Sequence, residues 1–151
     1  MSIDQKSQTA FHMMAKPTGY RCNLKCEYCF YLEKEHTIHQ DSPTASQTMS
    51  DATLKRYIRE YIRSQHSQQI DFSWQGGEPT LAGLDFYRNV VAYQQQYADG
   101  KHITNSFQTN AIGINRQWAE FFAQHNFLVG ISVDGLQSVH DVYRVSVNGN
   151  P

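Results

Sequence analysis

Ile70-Asp71-Phe72-Ser73-Trp74-Gln75-Gly76-Gly77-Glu78-Pro79-Thr80 is the stretch that decides the fold. Its first five residues alternate apolar and polar, the period of a strand with one face buried. Gln75 to Thr80 then breaks the pattern with Gly-Gly and Pro. From Leu84 to Tyr97 the apolar residues Tyr87, Val90, Val91 and Tyr97 fit a helix, which Asp99-Gly100 ends. The same strand-turn-helix order recurs on both sides. Upstream, a strand fits Phe11 to Ala15. Gln40 to Thr48 reads as a loop, and Ser50 can cap a helix with Asp51 in its first turn. In that helix Leu54, Tyr57, Ile58, Tyr61 and Ile62 form one stripe. Downstream, His102 to Thr109 reads as a strand with Ile103 and Phe107 as its apolar points. Asn115 can cap a helix that presents Trp118, Phe121, Phe122 and His125. Phe127 to Val133 is a nearly continuous apolar run that suits a strand buried in a parallel sheet. The order is β-α-β-α-β-α-β followed by an irregular tail. Alternation of this kind implies an α/β fold with right-handed parallel units, either an open doubly wound sheet or part of a barrel.

Composition limits the function. The 151 residues carry 13 Lys+Arg against 14 Asp+Glu, a net charge of -1, so there is no electrostatic case for nucleic acid. The longest apolar run is too short to span a bilayer, so no membrane partner is expected. The polar start Met1 to Ser7 lacks a secretory signal, which makes the cytoplasm the expected location. No linker or internal repeat divides the chain, so residues 1–151 are expected to form one domain.

All 3 cysteines fall between Cys22 and Cys29. An odd, clustered set does not make a disulfide framework and points to a metal or cluster site. Cys22-Asn23-Leu24-Lys25-Cys26-Glu27-Tyr28-Cys29 is a C-x3-C-x2-C motif that follows the first strand, and a short helix from Phe30 to Glu35 can follow it. Three thiolates on a tight loop can hold three irons of a cubic 4Fe–4S cluster, leaving the fourth iron open to a ligand. Two alternatives stand beside this one. The thiols can be unligated, or Cys22, Cys26 and Cys29 can join His36 or His39 in a structural zinc site.

At these residues the sequence resembles the radical S-adenosylmethionine enzymes, with Tyr28 at the aromatic position of their cysteine motif. Gly76-Gly77-Glu78 and Ser132-Val133-Asp134-Gly135 are similar to later segments of that superfamily. Cys29 to Lys34, Trp74 to Thr80, Gln108-Thr109-Asn110 and His140 to Arg144 together resemble the anaerobic sulfatase-maturating enzymes. The resemblance implies a parallel (β/α) partial barrel. It also implies a radical-based oxidation of a Ser or Cys of a sulfatase to formylglycine, through a 5′-deoxyadenosyl radical; the alternatives are a truncated, inactive remnant or partner-binding fragment, or a zinc-stabilised interaction domain. The implied cofactors are a 4Fe–4S cluster on Cys22, Cys26 and Cys29, and S-adenosylmethionine. The implied partners are a peptide or protein substrate and a reducing electron donor.

Roles for the remaining residues follow from the same resemblance. Tyr28 would lie beside the cluster, and Gly76 and Gly77 would let backbone approach the methionine ammonium, with Glu78 complementing it. Ser132 would bond the cofactor at the end of the fourth strand, and Arg144 would fork onto the methionine carboxylate. Tyr31 and Gln75 are candidates for lining the peptide channel. No residue inherits the role of taking the substrate proton, so no catalytic residue is assigned. Six βα units would need about 190 residues on the scale of a full barrel. The chain therefore corresponds to an N-terminal portion truncated after about four units. The auxiliary-cluster region of those enzymes is expected to be missing from these 151 residues, because no Cys follows Cys29. A sheet ending at its fourth strand is expected to leave an open edge and an uncovered face.

Overall fold

The computed structural model describes residues 7, 9–32 and 48–148. Four strands, β1 (Met13–Ala15), β2 (Gln69–Trp74), β3 (His102–Thr109) and β4 (Phe127–Ile131), form one parallel sheet in sequence order. Between them run α1 (Asp51–Ser64), α2 (Leu84–Tyr97) and α3 (Arg116–Gln124), and α4 (Gln137–Tyr143) follows β4. Buried residues of α1, α2 and α3 share a single core with alternate residues of the strands. Helices on one face and strands in sequential order make a curved barrel wall rather than a doubly wound sheet.

Local chemistry sets the helix starts. The Ser50 side chain accepts from Thr53 N, and Asn115 Oδ1 accepts from Trp118 N at 3.2 Å. The stripe foreseen on α1 is the buried one, with Leu54, Ile58, Tyr61 and Ile62 all inside. On β2 the alternation puts Ile70, Phe72 and Trp74 against the helices. Tyr87, Phe107, Trp118 and Phe122 continue the layer through ring contacts of 4.9–5.8 Å. Each fully buried ring of this kind stabilises the fold by about 1.5–3 kcal/mol. A polar trio sits within the core: Trp74 Nε1 and Gln94 Nε2 donate to Asn105 Oδ1 at 2.9 and 2.8 Å, and Asn105 returns a bond to Gln94.

The structure corrects three sequence expectations and bears out part of a fourth. The first strand begins at Met13, not Phe11, because the Phe11 carbonyl accepts from Tyr61 and Gln65 of the α1 region instead of from a strand. The helix foreseen from Phe30 to Glu35 is seen over 30–32; its remainder, and residues 40–47 of the foreseen loop, lie outside the described residues. The tail read as irregular contains α4. The fourth strand is half exposed rather than buried. Phe127 packs inside, but Leu128 is 74% exposed because helices cover only one face of the sheet, and Ile131, on the covered face at the strand's far end, is still 57% exposed. The uncovered face carries Met14, Ser73, Ser106 and Leu128 in one register row across all four strands. Among the described residues no helix is long and apolar enough to cross a membrane.

Candidate functional site

The loop that follows β1 has little regular structure, yet it is held from two sides. On one side lies the turn after β2. Gly77 N donates to Gly19 O at 2.9 Å and Glu78 N to Arg21 O at 2.8 Å. A Cβ at Gly77 would stand 2.2 Å from the carbonyl oxygens of both Tyr20 and Arg21, and one at Gly76 would stand 2.7 Å from Gly19 O. Absence of a side chain at these two positions is therefore demanded by the incoming loop itself. On the other side lies the segment after α4. Lys25 N donates to Val145 O, Glu27 N donates to Tyr143 O, and Leu24 bridges Ser146. Buried Leu24 anchors the middle of the loop.

This double attachment presents Cys22, Cys26 and Cys29, none of them in a disulfide, to a cavity of about 180 Å³. Tyr28, Gly76, Gly77, Ser132 and Arg144 line the same cavity, as do Tyr31, Gln75, Gln108 and Asn110. Every one of these follows the C-terminal end of a strand, except Gln108 within β3 and Arg144, which caps α4. That is the end of a parallel sheet at which ligands bind. A larger open groove of about 800 Å³ lies outside α1, between Met13, Tyr57 and Arg63, and none of the cysteines lines it.

Electrostatics differ around the cavity. Leu24 N and Asn110 Nδ2 donate to Cys22 Sγ at 3.4 and 3.7 Å, and Arg144 Nη1 lies 4.0 Å from Cys26 Sγ. Burial pushes both thiols up; the Leu24 N–H opposes this at Cys22 and the Arg144 guanidinium opposes it at Cys26. Arg144 Nε pairs with Asp134 Oδ2 at 3.0 Å, and the guanidinium stacks 5.5 Å from the centre of the Tyr28 ring. Tyr28 OH donates to the same Asp134 oxygen. Burial and this bond push the phenol up to about 12. The Tyr28 hydrogen bond, followed by Arg144, holds the Asp134 carboxyl below its usual value. Across the cavity, Gln108 Nε2 donates to Ser132 Oγ at 3.0 Å, and Gly130 leaves room for the Gln108 amide. Lys16 Nζ donates to Tyr31 OH at the rim.

Glu78 does not face the cavity. It is fully buried, and the ammonium-complementing expectation does not describe it. Its Oε1 accepts from Thr80 N, Thr80 Oγ1 and Thr109 Oγ1 at 3.0, 2.7 and 2.7 Å, and its Oε2 accepts from Asn110 N at 2.8 Å. The carboxylate thus ties the end of β3 to the turn after β2. Sequence reasoning left Asn110, Asp134 and Gln108 without roles. Their place at or beside strand ends was the available signal.

Three sulfurs on one wall, two N–H donors beside Cys22 and a cation near Cys26 suit a negatively charged iron–sulfur group bound through thiolates. Among the described residues no group of three or more His, Cys, Asp or Glu is arranged to hold a single metal ion. His36 and His39, foreseen as possible zinc ligands, lie outside the described residues.

Comparison with known proteins agrees with this geometry. The chain is 44% identical over 140 residues to the serine-type anaerobic sulfatase-maturating enzyme of Bacteroides thetaiotaomicron, covering 93% of this chain and 33% of that protein. It is 40% identical over 137 residues to the cysteine-type enzyme of Clostridium novyi, covering 90% of this chain and 36% of that one. A solved structure of native anSMEcpe with bound AdoMet and a Cp18Cys peptide superposes with a TM-score of 0.80 at 34% identity, over 92% of this chain and 35% of the other. The chain therefore spans about a third of the length of the curated relatives it matches. A family model described as the Radical SAM superfamily matches residues 17–150, from the turn after β1 to beyond α4, and the chain belongs to that superfamily.

Proposed function

We propose that this chain is the cluster-bearing portion of a radical S-adenosylmethionine enzyme that oxidises a Ser or Cys in a sulfatase-like peptide to formylglycine. Cys22, Cys26 and Cys29 hold a 4Fe–4S cluster as thiolates, and Gly76, Gly77, Ser132 and Arg144 hold S-adenosylmethionine with Tyr28 beside them. The observation that carries the reading is the convergence of all eight residues on one cavity at the C-terminal end of a parallel sheet. Similarity to both serine-type and cysteine-type maturases supports the peptide substrate.

When bound, cluster and cofactor supply hydrogen-atom abstraction from a carbon that side chains cannot activate. The chain's own residues bind and orient. Arg144 offers a planar cation to a carboxylate, with Asp134 fixing its direction. Ser132 presents a hydroxyl, which Gln108 holds in place. Buried Leu24 backs the thiolate wall, and the Tyr28 ring lines the same cavity. A reducing protein or reagent must deliver the electron.

Anaerobic reconstitution with iron and sulfide tests the reading. The expected result is a brown protein that releases 5′-deoxyadenosine from S-adenosylmethionine under a strong reductant. A colourless protein that retains zinc instead refutes it. The peptide step is tested separately, by aldehyde formation on a Ser- or Cys-containing sulfatase peptide.

A further inference from the structure

Asn110 belongs to neither the cysteine loop nor the Gly-Gly turn, yet its side chain reaches the first cysteine. Nδ2 lies 3.7 Å from Cys22 Sγ and 2.7 Å from Asn23 Oδ1. The amide has one orientation open to it. Oδ1 accepts from Ile112 N at 3.0 Å, so the NH2 group must point toward the sulfur. The backbone is fixed as well, because Asn110 N donates to Glu78 Oε2 at 2.8 Å. Glu78 is in turn clamped by Thr80 and Thr109 in a site with no solvent exposure. The Glu of the Gly-Gly-Glu turn therefore acts on the site through β3, not by touching a ligand in the cavity.

We propose that Asn110 is a positioning residue that donates a hydrogen bond to the Cys22 sulfur and raises the reduction potential of the cluster, with Glu78 holding it in place. This rests on the cluster reading above. A donor aimed at a ligating sulfur spreads negative charge, and the reduced cluster carries one more electron than the oxidised one. The bond is therefore stronger in the reduced state, and the potential rises. The N–H of Leu24, 3.4 Å from the same sulfur, acts in the same direction but cannot be removed by changing a side chain. Asn110 is thus the adjustable donor.

The test is a redox titration of the cluster-loaded protein followed by its electron paramagnetic resonance signal, for the parent, Asn110→Leu and Asn110→Ser. Both substitutions are neutral, so net charge is constant. Serine retains an oxygen to accept from Ile112 N but is too short to reach the sulfur. The midpoint is expected to move to more negative potential in both variants, with iron content unchanged. A loaded variant whose midpoint equals the parent's overturns the inference alone. Loss of the cluster from both variants also overturns it, because Asn110 would then hold the loop rather than tune the sulfur. A parent that takes up no cluster overturns the underlying reading and this inference with it.

Discussion

Replacing Gly77 with alanine tests how the cysteine loop is held. The added methyl would stand 2.2 Å from two carbonyl oxygens, those of Tyr20 and Arg21, and 2.5 Å from the Arg21 carbonyl carbon. Real Cβ contacts essentially never fall below 3.0 Å, so the loop must retreat by about 0.8 Å. No side-chain rotation relieves the clash, because the obstacles are backbone. The retreat stretches the bonds from Gly77 N to Gly19 O and from Glu78 N to Arg21 O, now 2.9 and 2.8 Å. Overpacking costs about 1–3 kcal/mol, and each weakened bond adds up to about 1 kcal/mol. The expected loss is about 3 kcal/mol. Urea denaturation measures it as a fall in the midpoint at constant slope. Gly135→Ala is the control: nothing lies within 4 Å of its Cβ, and a left-handed φ of 77° leaves only a strain of about 1–2 kcal/mol. If Gly77→Ala proves no more destabilising than Gly135→Ala, the close apposition of loop and turn is not part of the folded protein.

Three further outcomes are expected. Tyr87→Phe removes the donor to Pro79 O at 3.0 Å in a fully buried setting and should cost about 1–3 kcal/mol in the same assay. Arg144→Ala should weaken S-adenosylmethionine binding to the cluster-loaded protein by about tenfold or more in calorimetry; an unchanged affinity would leave Arg144 as a partner of Asp134 and Tyr28 only. Thr104 and then Gln69 donate to Asp71 and hold its carboxyl below 3.8. A lowered folded value means that the stabilisation is complete above 3.8 and disappears as pH falls through that lower value. Asp71→Asn should therefore flatten the acid limb of stability against pH, measured by urea midpoints from neutral pH downward.

Features written in neighbouring residues could be read from the sequence, and features assembled across strands could not. Ser50 and Asn115 each sit just before an amphipathic stripe, so both helix starts were visible, and Leu84–Tyr97 and His102–Thr109 match their expected bounds. The cysteine triplet was equally plain. Helix α4 was missed because it buries no residue: Val139, Val142 and Tyr143 remain exposed, so no inward stripe marks it. Glu78 reads as a turn carboxylate because two of its partners, Thr109 and Asn110, arrive from another strand. The same holds for Asn105, whose burial depends on Trp74 and Gln94 from two different elements. In β4 the apolar run reads as a strand to Val133, whereas the strand ends at Ile131, and sequence period cannot tell whether both faces are covered.

The apposition of residues 19–21 on Gly76 and Gly77 also bears on inheritance. Two segments far apart along the chain are cut to one another's shape at the level of main-chain atoms. A lineage that gained a side chain at Gly77 would have to reroute the path leading to its first cysteine in the same step. Recombination that grafts one segment without its counterpart should yield chimaeras whose thiols point the wrong way.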